Sequence, residues 1–327
     1  MSNKFTHGYA LLIGVGESAY NKLSLPVTVK DTQAIYAALI DPELCAYPND
    51  KEHIRVLNNK EATKVAILDS LNWLKDKAKS DPNATIFIYY SGHGWLKEEN
   101  NRYYLIQHDI DPFDLAGSAL SAETFTDVLR EIPAERLFVV IDSCHAAGMA
   151  TSKDGNTAIS SNTPAGFVEA SPSKGLIEEL KKGKGRVVFT SSEGTQSSFY
   201  VRDESLSIYT YHFLEALQGA GNQPGDMEVR ISNIMNHVGK TVPDSVRSQY
   251  KQEQIPQFDM TGGDFAIAQL RGDKGLPNKG WDEVRSDATQ KINRIAQNIQ
   301  QYGRYITNIN EVRDVQNFHI GDVINKN

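Results

Sequence analysis

Four long apolar runs constrain the fold of this chain more than any other feature of its sequence. They are residues 9–16 (YALLIGVG), 85–92 (TIFIYYSG), 136–144 (RLFVVIDSC) and 185–192 (GRVVFTSS). A strand with one face in water alternates apolar and polar residues, whereas these runs are almost continuously apolar. That pattern is typical of parallel strands that helices cover on both faces. The sequence therefore predicts a buried, mostly parallel sheet.

Helical patterns separate the apolar runs. Residues 31–40 and 63–78 each gather apolar side chains on one face, and Asp31 stands where a helix N-cap belongs. Strands that alternate with helices predict an α/β/α sandwich, whose ligand site lies beyond the carboxyl ends of the strands. Further helices are predicted at 121–132, 208–220 and 229–242, and further strands at 253–260 and 264–270.

The overall composition excludes several classes of protein. The 327 residues are 40% apolar and carry a formal net charge of −7, which argues against a protein that neutralises nucleic-acid phosphates. No run approaches the ~20 consecutive apolar residues of a membrane span, and the first residues do not read as a signal peptide. Two cysteines, Cys45 and Cys144, fit a reducing compartment. We expect a cytoplasmic protein that binds neither nucleic acid nor membrane.

The last part of the chain, residues 276–327, differs from the rest and is predicted to be an appendage. It opens with a helical stripe of apolar residues, which either pads the main domain or recruits a partner. Residues 303–327 are rich in Asn and β-prone pieces, and weakly resemble the self-assembling recruitment motifs of bacterial signalling proteins. An upstream activator is the partner that we expect for such a tail.

Two of the apolar runs end in polar turns that contain candidate catalytic residues. SGHG places His93 after one strand, and DSCH places Cys144 after another, 51 residues later. Parallel neighbours would bring the thiol and the imidazole to the same edge of the sheet, where they can perform covalent acyl transfer. The N–H groups of Gly94 and Cys144 are the predicted oxyanion hole. A buried, inert cysteine is the alternative for Cys144, and it is the reading we prefer for Cys45.

These motifs resemble the caspase-like cysteine peptidases, in particular the metacaspases and the prokaryotic orthocaspases. YYSGHG followed by FVVIDSCHAAG carries the resemblance, which extends over about residues 9–270, and a histidine about 50 residues before the cysteine is a caspase signature. It implies a peptidase domain at 1–275, with a large-subunit-like part (1–148), a linker (149–184) and a small-subunit-like part (185–275). It also implies a Cys–His endopeptidase, which we expect in a bacterial stress, defence or cell-death pathway.

By the same resemblance, Asp31, Ser91 and Asp142 correspond to the residues that hold a basic side chain before the scissile bond. A buried carboxylate needs a cationic partner to offset its desolvation, so cleavage of protein substrates after Arg or Lys is expected. The alternatives are a plain helix N-cap for Asp31 and a structural hydrogen-bonding role for Asp142.

Several features depart from the family pattern or stay open. Many metacaspases require calcium, but Glu98, Glu99, Asp109 and Asp111 provide too few oxygen ligands, so no cofactor or metal is predicted. A zinc site built from His93, Cys144 and His145 is disfavoured, because the side chains of the adjacent Cys144 and His145 would not readily converge on one ion. The chain either stays intact or cleaves itself in the linker region. The basic residues that self-cleavage would use are Lys153, Lys174, Lys181, Lys182, Lys184 and Arg186.

Two other functions remain open at this stage. One is a catalytically silent caspase-like scaffold or adaptor that acts through its C-terminal tail, and the other is a small-molecule hydrolase that uses the same dyad. The intact Cys144 and His93 argue against the scaffold.

Overall fold

The computed structural model describes residues 4–19, 23–111, 113–143, 166–180, 182, 184–194, 196–203 and 205–303. The strands in these ranges are β1 (Gly8–Gly14), β2 (Ile54–Asn58), β3 (Thr85–Gly92), β4 (Gly94–Lys97), β5 (Arg102–Leu105), β6 (Leu120–Ser121), β7 (Arg136–Ser143), β8 (Phe167–Glu169), β9 (Arg186–Thr190), β10 (Glu228–Arg230), β11 (Gln257–Met260) and β12 (Ala266–Gln269). The helices are α1 (Val27–Ile40), α2 (Lys64–Ser80), α3 (Leu115–Ser118), α4 (Ala122–Arg130), α5 (Lys174–Leu180), α6 (Ile208–Leu217), α7 (Ile231–Tyr250) and α8 (Trp281–Tyr302).

A six-stranded sheet forms the centre of the fold, in the order β11-β9-β7-β3-β1-β2. All neighbours in this sheet are parallel except the edge pair of β11 and β9. The four apolar runs supply β1, β3, β7 and β9, which confirms the predicted parallel sheet. A smaller antiparallel sheet has the order β6-β5-β4-β8, and β10 pairs with β12.

Helices cover both faces of the main sheet. One core cluster joins the sheet to α1, α6, α7 and α8, and a second joins its other face to α2, α4 and α5. Successive side chains of a strand point to opposite faces, so every second residue of β3 enters each cluster. The α/β/α sandwich is therefore confirmed. No helix in the described ranges has the length and apolar character needed to cross a membrane.

The apolar stripe of α8 packs into the first of these clusters. Its buried members are Val284, Ala288, Ile292, Ile295, Ala296 and Ile299. The helix lies against α1 and α6. The main domain thus covers the stripe, which favours padding over recruitment through this face. Residues 304–327, where the recruitment tail is predicted, lie outside the described residues.

The structure differs from the sequence prediction in several elements. Helix α1 begins at Val27 and not at Asp31, because Pro26 and Leu25 start the turn and Asp31 faces inward from the second turn. The predicted helix from residue 229 begins only at Ile231, since 228–230 pair with β12 as β10. The sequence did not predict β2 or the small sheet, whose strands are short and partly exposed.

Part of the predicted linker is ordered structure. Residues 167–169 form β8 beside β4, and α5 follows. Arg186 is not a plausible self-cleavage point, because it is buried within β9 and a peptidase needs an exposed, extended segment. Lys182 and Lys184 are exposed, and Lys174 begins α5, whereas Lys153 and Lys181 lie outside the described residues.

Phe138 lies at the centre of the aromatic core. Its ring is fully buried and lies 5.3 Å from that of Phe87 and 4.9 Å from that of Phe189, between ring centroids. We expect Phe138→Ala to lower the free energy of unfolding by about 3–5 kcal/mol, because it loses buried surface and leaves a cavity.

Phe113 provides the matched control, since its side chain is 93% exposed. We expect Phe113→Ala to change the free energy of unfolding by less than about 0.5 kcal/mol. Urea denaturation followed by circular dichroism measures both. Equal losses for the two variants would contradict this assignment of the core.

Candidate functional site

The carboxyl ends of β3 and β7 lie side by side at the centre of the sheet. Their parallel register pairs Ser91 with Asp142 and Gly92 with Ser143. The next residue of the chain is His93 after β3 and Cys144 after β7. Cys144 itself lies outside the described residues. In the sequence, the two predicted catalytic residues thus come directly after two strands that pair with each other.

The imidazole of His93 is buried and has polar neighbours at both nitrogens. Its Nε2 lies 3.1 Å from the carbonyl oxygen of Leu23. A carbonyl only accepts hydrogen bonds, so Nε2 carries a hydrogen and Nδ1 is the basic nitrogen of the neutral ring. Nδ1 lies 3.0 Å from Oε1 of Glu169, in a close contact that is not aligned as a hydrogen bond. The linker strand β8 therefore carries a carboxylate to the basic side of the ring.

The backbone around His93 is fixed from two sides. Its carbonyl accepts hydrogen bonds from the N–H of Ile106 at 3.1 Å and from the hydroxyl of Tyr90 at 2.8 Å. At Gly94, a Cβ atom would lie 1.8 Å from the hydroxyl of Tyr103 and 2.7 Å from the carbonyl oxygen of Ala170. Glycine is thus required at position 94 because neighbouring atoms approach the backbone closely.

Asp31 and Asp142 form a pair of fully buried carboxylates at the same edge. Ser207, the N-cap of α6, contacts both: its N–H donates to Asp31 at 2.9 Å and its hydroxyl donates to Asp142 at 2.7 Å. The hydroxyl of Ser198 donates to Asp142 at 3.0 Å. The hydroxyl of Ser91 donates to Asp31 at 3.2 Å. The structure thus brings the three predicted substrate-binding residues together in one polar cluster.

The proximity of the two carboxylates affects their ionisation. Burial, followed by the negative charge of Asp142, raises the pKa of Asp31 well above its ordinary value of 3.8. Hydrogen bonds from Ser207, Thr210 and Ser91 act in the opposite direction and do not offset burial. A negative charge in this position is costly unless a cation joins it. The cluster is therefore suited to bind a positively charged group.

Several residues of this site were not predicted from the sequence. Ser207 could have been found, since a serine directly before the apolar run of α6 is a typical N-cap. Glu169 gives no such signal, because its contact with His93 joins segments 76 residues apart. Asp31 is not the N-cap of its helix, which overturns that alternative.

Three of the four acidic residues named as calcium ligands have other partners. Asp109 accepts a hydrogen bond from the N–H of Lys64 at the start of α2, and Asp111 accepts one from the N–H of Phe113 in its own turn, both at 2.9 Å. Glu99 lies 3.0 Å from the ammonium of Lys97.

Cys45, the second cysteine, is fully buried in the first core cluster. Burial, and to a lesser extent Asp41, raises the pKa of its thiol. A protonated and inaccessible thiol is a poor nucleophile, which agrees with the core role predicted for Cys45.

Two curated proteins are similar to part of this chain in sequence. Metacaspase-1A of Neurospora crassa is 28% identical over 152 residues, which are 43% of this chain and 32% of that protein. Metacaspase-1 of Coccidioides immitis is 34% identical over 92 residues, which are 26% of this chain and 19% of that protein. The chain thus spans about a fifth to a third of the length of these curated relatives.

A family model described as the caspase domain matches residues 7–263. This range contains the whole six-stranded sheet, both polar strand ends and the buried carboxylate pair. The chain therefore belongs to the caspase-domain family of cysteine peptidases.

Proposed function

We propose that the protein is a cysteine endopeptidase that uses Cys144 and His93 and cleaves proteins after Arg or Lys. The observation that carries the proposal is the register of β3 and β7, which ends on the pair Gly92 and Ser143. The next residues in the sequence are a histidine and a cysteine, so the proposal places an imidazole and a thiol at one edge of the sheet. This is the minimal apparatus for covalent acyl transfer.

The proposed reaction begins with transfer of the Cys144 proton to Nδ1 of His93. The thiolate attacks the scissile carbonyl carbon, and its electrons move onto oxygen, which the N–H groups of Gly94 and Cys144 are proposed to stabilise. The C–N bond then breaks, and the amine leaves with the proton from His93. Water hydrolyses the thioester, with His93 as the base.

The contact between His93 and Glu169 suggests that the chain has a resting form. Nδ1 must face the thiol in the proposed reaction, but it lies against the Glu169 carboxylate. The carboxylate thus occupies the side of the ring that the thiol needs. We infer that β8 shifts when a substrate strand enters, which frees Nδ1 for Cys144.

The basic specificity rests on Asp31 and Asp142. Both carboxylates are completely buried, and Asp31 takes up a proton readily in the absence of a cation. A guanidinium or ammonium group between them would offset their desolvation and allow both to ionise. We therefore infer that entry of the substrate's basic side chain opens the cluster and releases a proton.

Other parts of the proposal stay predictions. They are the prokaryotic origin, the cytoplasmic location, the stress, defence or cell-death pathway, self-cleavage in the linker and an activator that binds the tail. The silent scaffold is the alternative to the enzyme, and the labelling experiment below separates the two.

Covalent labelling tests the nucleophile. An electrophilic peptide ketone with Arg at the reactive position should label the wild-type protein, and Cys144→Ala should abolish labelling because it removes the attacking sulfur. His93→Ala should slow labelling by at least about 100-fold, since it removes the base. Intact-protein mass spectrometry measures the adduct.

Cys45→Ala is the matched control, because it also removes a thiol but from the core. We expect it to label as the wild type does. Labelling that persists in Cys144→Ala would overturn the assignment of the nucleophile, and a wild-type protein that never labels would favour the scaffold.

A specificity measurement tests Asp142. We expect Asp142→Asn to lower kcat/KM for an Arg peptide by at least about 30-fold, since loss of one partner of a buried charge pair costs about 2–5 kcal/mol. Asp127→Asn is the control, because Asp127 lies exposed on α4 beside Arg130. If Asp142 were only structural, the variant would lose thermal stability and cleave Arg and neutral peptides with the same relative loss.

The pH dependence of stability tests Asp31. The pKa of Asp31 is raised in the folded chain. Between pH 3.8 and that raised pKa, the folded state therefore holds more protons than the unfolded state. In this range the free energy of unfolding falls as the pH rises. Asp31→Asn lacks this loss, and its amide oxygen still accepts from the Ser207 N–H. We expect the variant to have a higher Tm than the wild type at neutral pH, and no advantage at pH 3.5. The prediction would be contradicted if the difference in Tm between the variant and the wild type were less favourable to the variant at neutral pH than at pH 3.5.

A further inference from the structure

A second group of titratable side chains lies between α6 and α7, separate from the predicted catalytic edge. It consists of His212 and Glu215 on α6 and His237 on α7. The side chains are 11%, 9% and 12% exposed, so they are largely buried but within reach of a small solute. The proposed peptidase reaction uses none of them.

The three side chains converge on one point. Oε2 of Glu215 lies 2.7 Å from Nδ1 of His212 and 2.9 Å from Nε2 of His237. One ligand atom from each residue lies within 4.8 Å of the others. In a tetrahedral site with bonds of about 2.0–2.2 Å, ligand atoms are roughly 3.3 Å apart. The two short contacts would therefore need to open by only about half an ångström.

We propose that His212, Glu215 and His237 form a binding site for a divalent transition-metal ion such as Zn²⁺. Two imidazoles and one carboxylate are a donor set that zinc, nickel and copper prefer. Calcium and magnesium take mainly oxygen ligands and are not favoured. Three protein ligands leave a fourth position for water.

An ion at this position would replace the hydrogens that the two imidazoles direct at Glu215. The Glu215 carboxylate accepts from both rings and so lies between them, where an ion would bind. A metal ion binds a ring nitrogen that carries no hydrogen. His237 would therefore move its hydrogen from Nε2 to Nδ1, and His212 would move its own from Nδ1 to Nε2.

Ser245 provides the outer partner that this change requires. Its hydroxyl lies 2.7 Å from Nε2 of His212, on the side of the ring away from Glu215. A hydroxyl both donates and accepts, so it can serve either tautomer by rotating. Metal-binding histidines commonly hold their second nitrogen in such a hydrogen bond, which orients the ring.

The position of the site indicates a structural role for the ion. It would join α6 to α7, and the ring of His237 lies 6.3 Å from that of Trp281, the first residue of α8. An ion that binds only the folded chain raises its stability by mass action. The site would thus stabilise the junction at which α8 packs onto the domain.

The test uses the Cys144→Ala protein, because a free thiol beside an imidazole binds zinc on its own. Isothermal titration calorimetry and thermal melting are measured with Zn²⁺, and with Ca²⁺ as the control ion. We expect a Zn²⁺-dependent rise in Tm that Ca²⁺ does not produce, and the loss of one bound zinc per chain in His237→Gln. Ser245→Ala keeps all three ligands and should bind zinc about 10–100-fold more weakly.

His7→Ala is the matched control, since His7 is an exposed histidine paired with a carboxylate, Asp81, at 2.8 Å. It should bind zinc as the parent does. Equal zinc affinity in His237→Gln and the parent would overturn the proposal, as would a parent without a Zn²⁺-dependent rise in Tm. If His237→Gln fails to fold, Co²⁺ added to the folded parent decides: intense visible bands of a tetrahedral site support the proposal, and their absence overturns it.

Discussion

Two carboxylates buried side by side at the carboxyl edge of the sheet are the constraint on which the rest of the site depends. Asp31 comes from α1 and Asp142 from the end of β7, and neither has any exposed surface. Ser207 holds both at the start of α6 through its N–H and its hydroxyl. Three elements of the sandwich therefore meet at a point of negative charge. The strand that carries Asp142 ends at Ser143, which is the residue directly before Cys144.

This arrangement is unfavourable for the free protein. Burial and like charge raise the pKa of Asp31, so part of the folding free energy is lost whenever both carboxylates ionise. A fold selected for stability alone would place an amide or an apolar residue at one of these positions. The cost is understandable if a substrate supplies the missing positive charge.

The sequence predicts the centre of the fold well because its signals are local. Continuous apolar runs identify β1, β3, β7 and β9, and parallel packing then brings the polar ends of β3 and β7 together. No apolar run marks the small sheet, because its strands are short and partly exposed. The N-cap position predicted for Asp31 is wrong, because nothing local shows which way the side chain faces, whereas its predicted place in the polar cluster agrees with the structure. The contact of Glu169 with His93 joins residues that are far apart in the sequence, and local residue patterns do not show which distant segments meet.

The role of the two buried carboxylates is tested by the affinity of the Cys144→Ala protein for two peptides. The peptides differ only at the residue before the scissile bond, which is Arg in one and citrulline in the other. Citrulline has nearly the shape of arginine but no charge. Calorimetry in buffers of different ionisation enthalpy measures affinity and proton release together. We expect the Arg peptide to bind at least about 30-fold more tightly and to release a proton, because its positive charge allows Asp31 to ionise. Equal affinities without proton release would contradict this expectation.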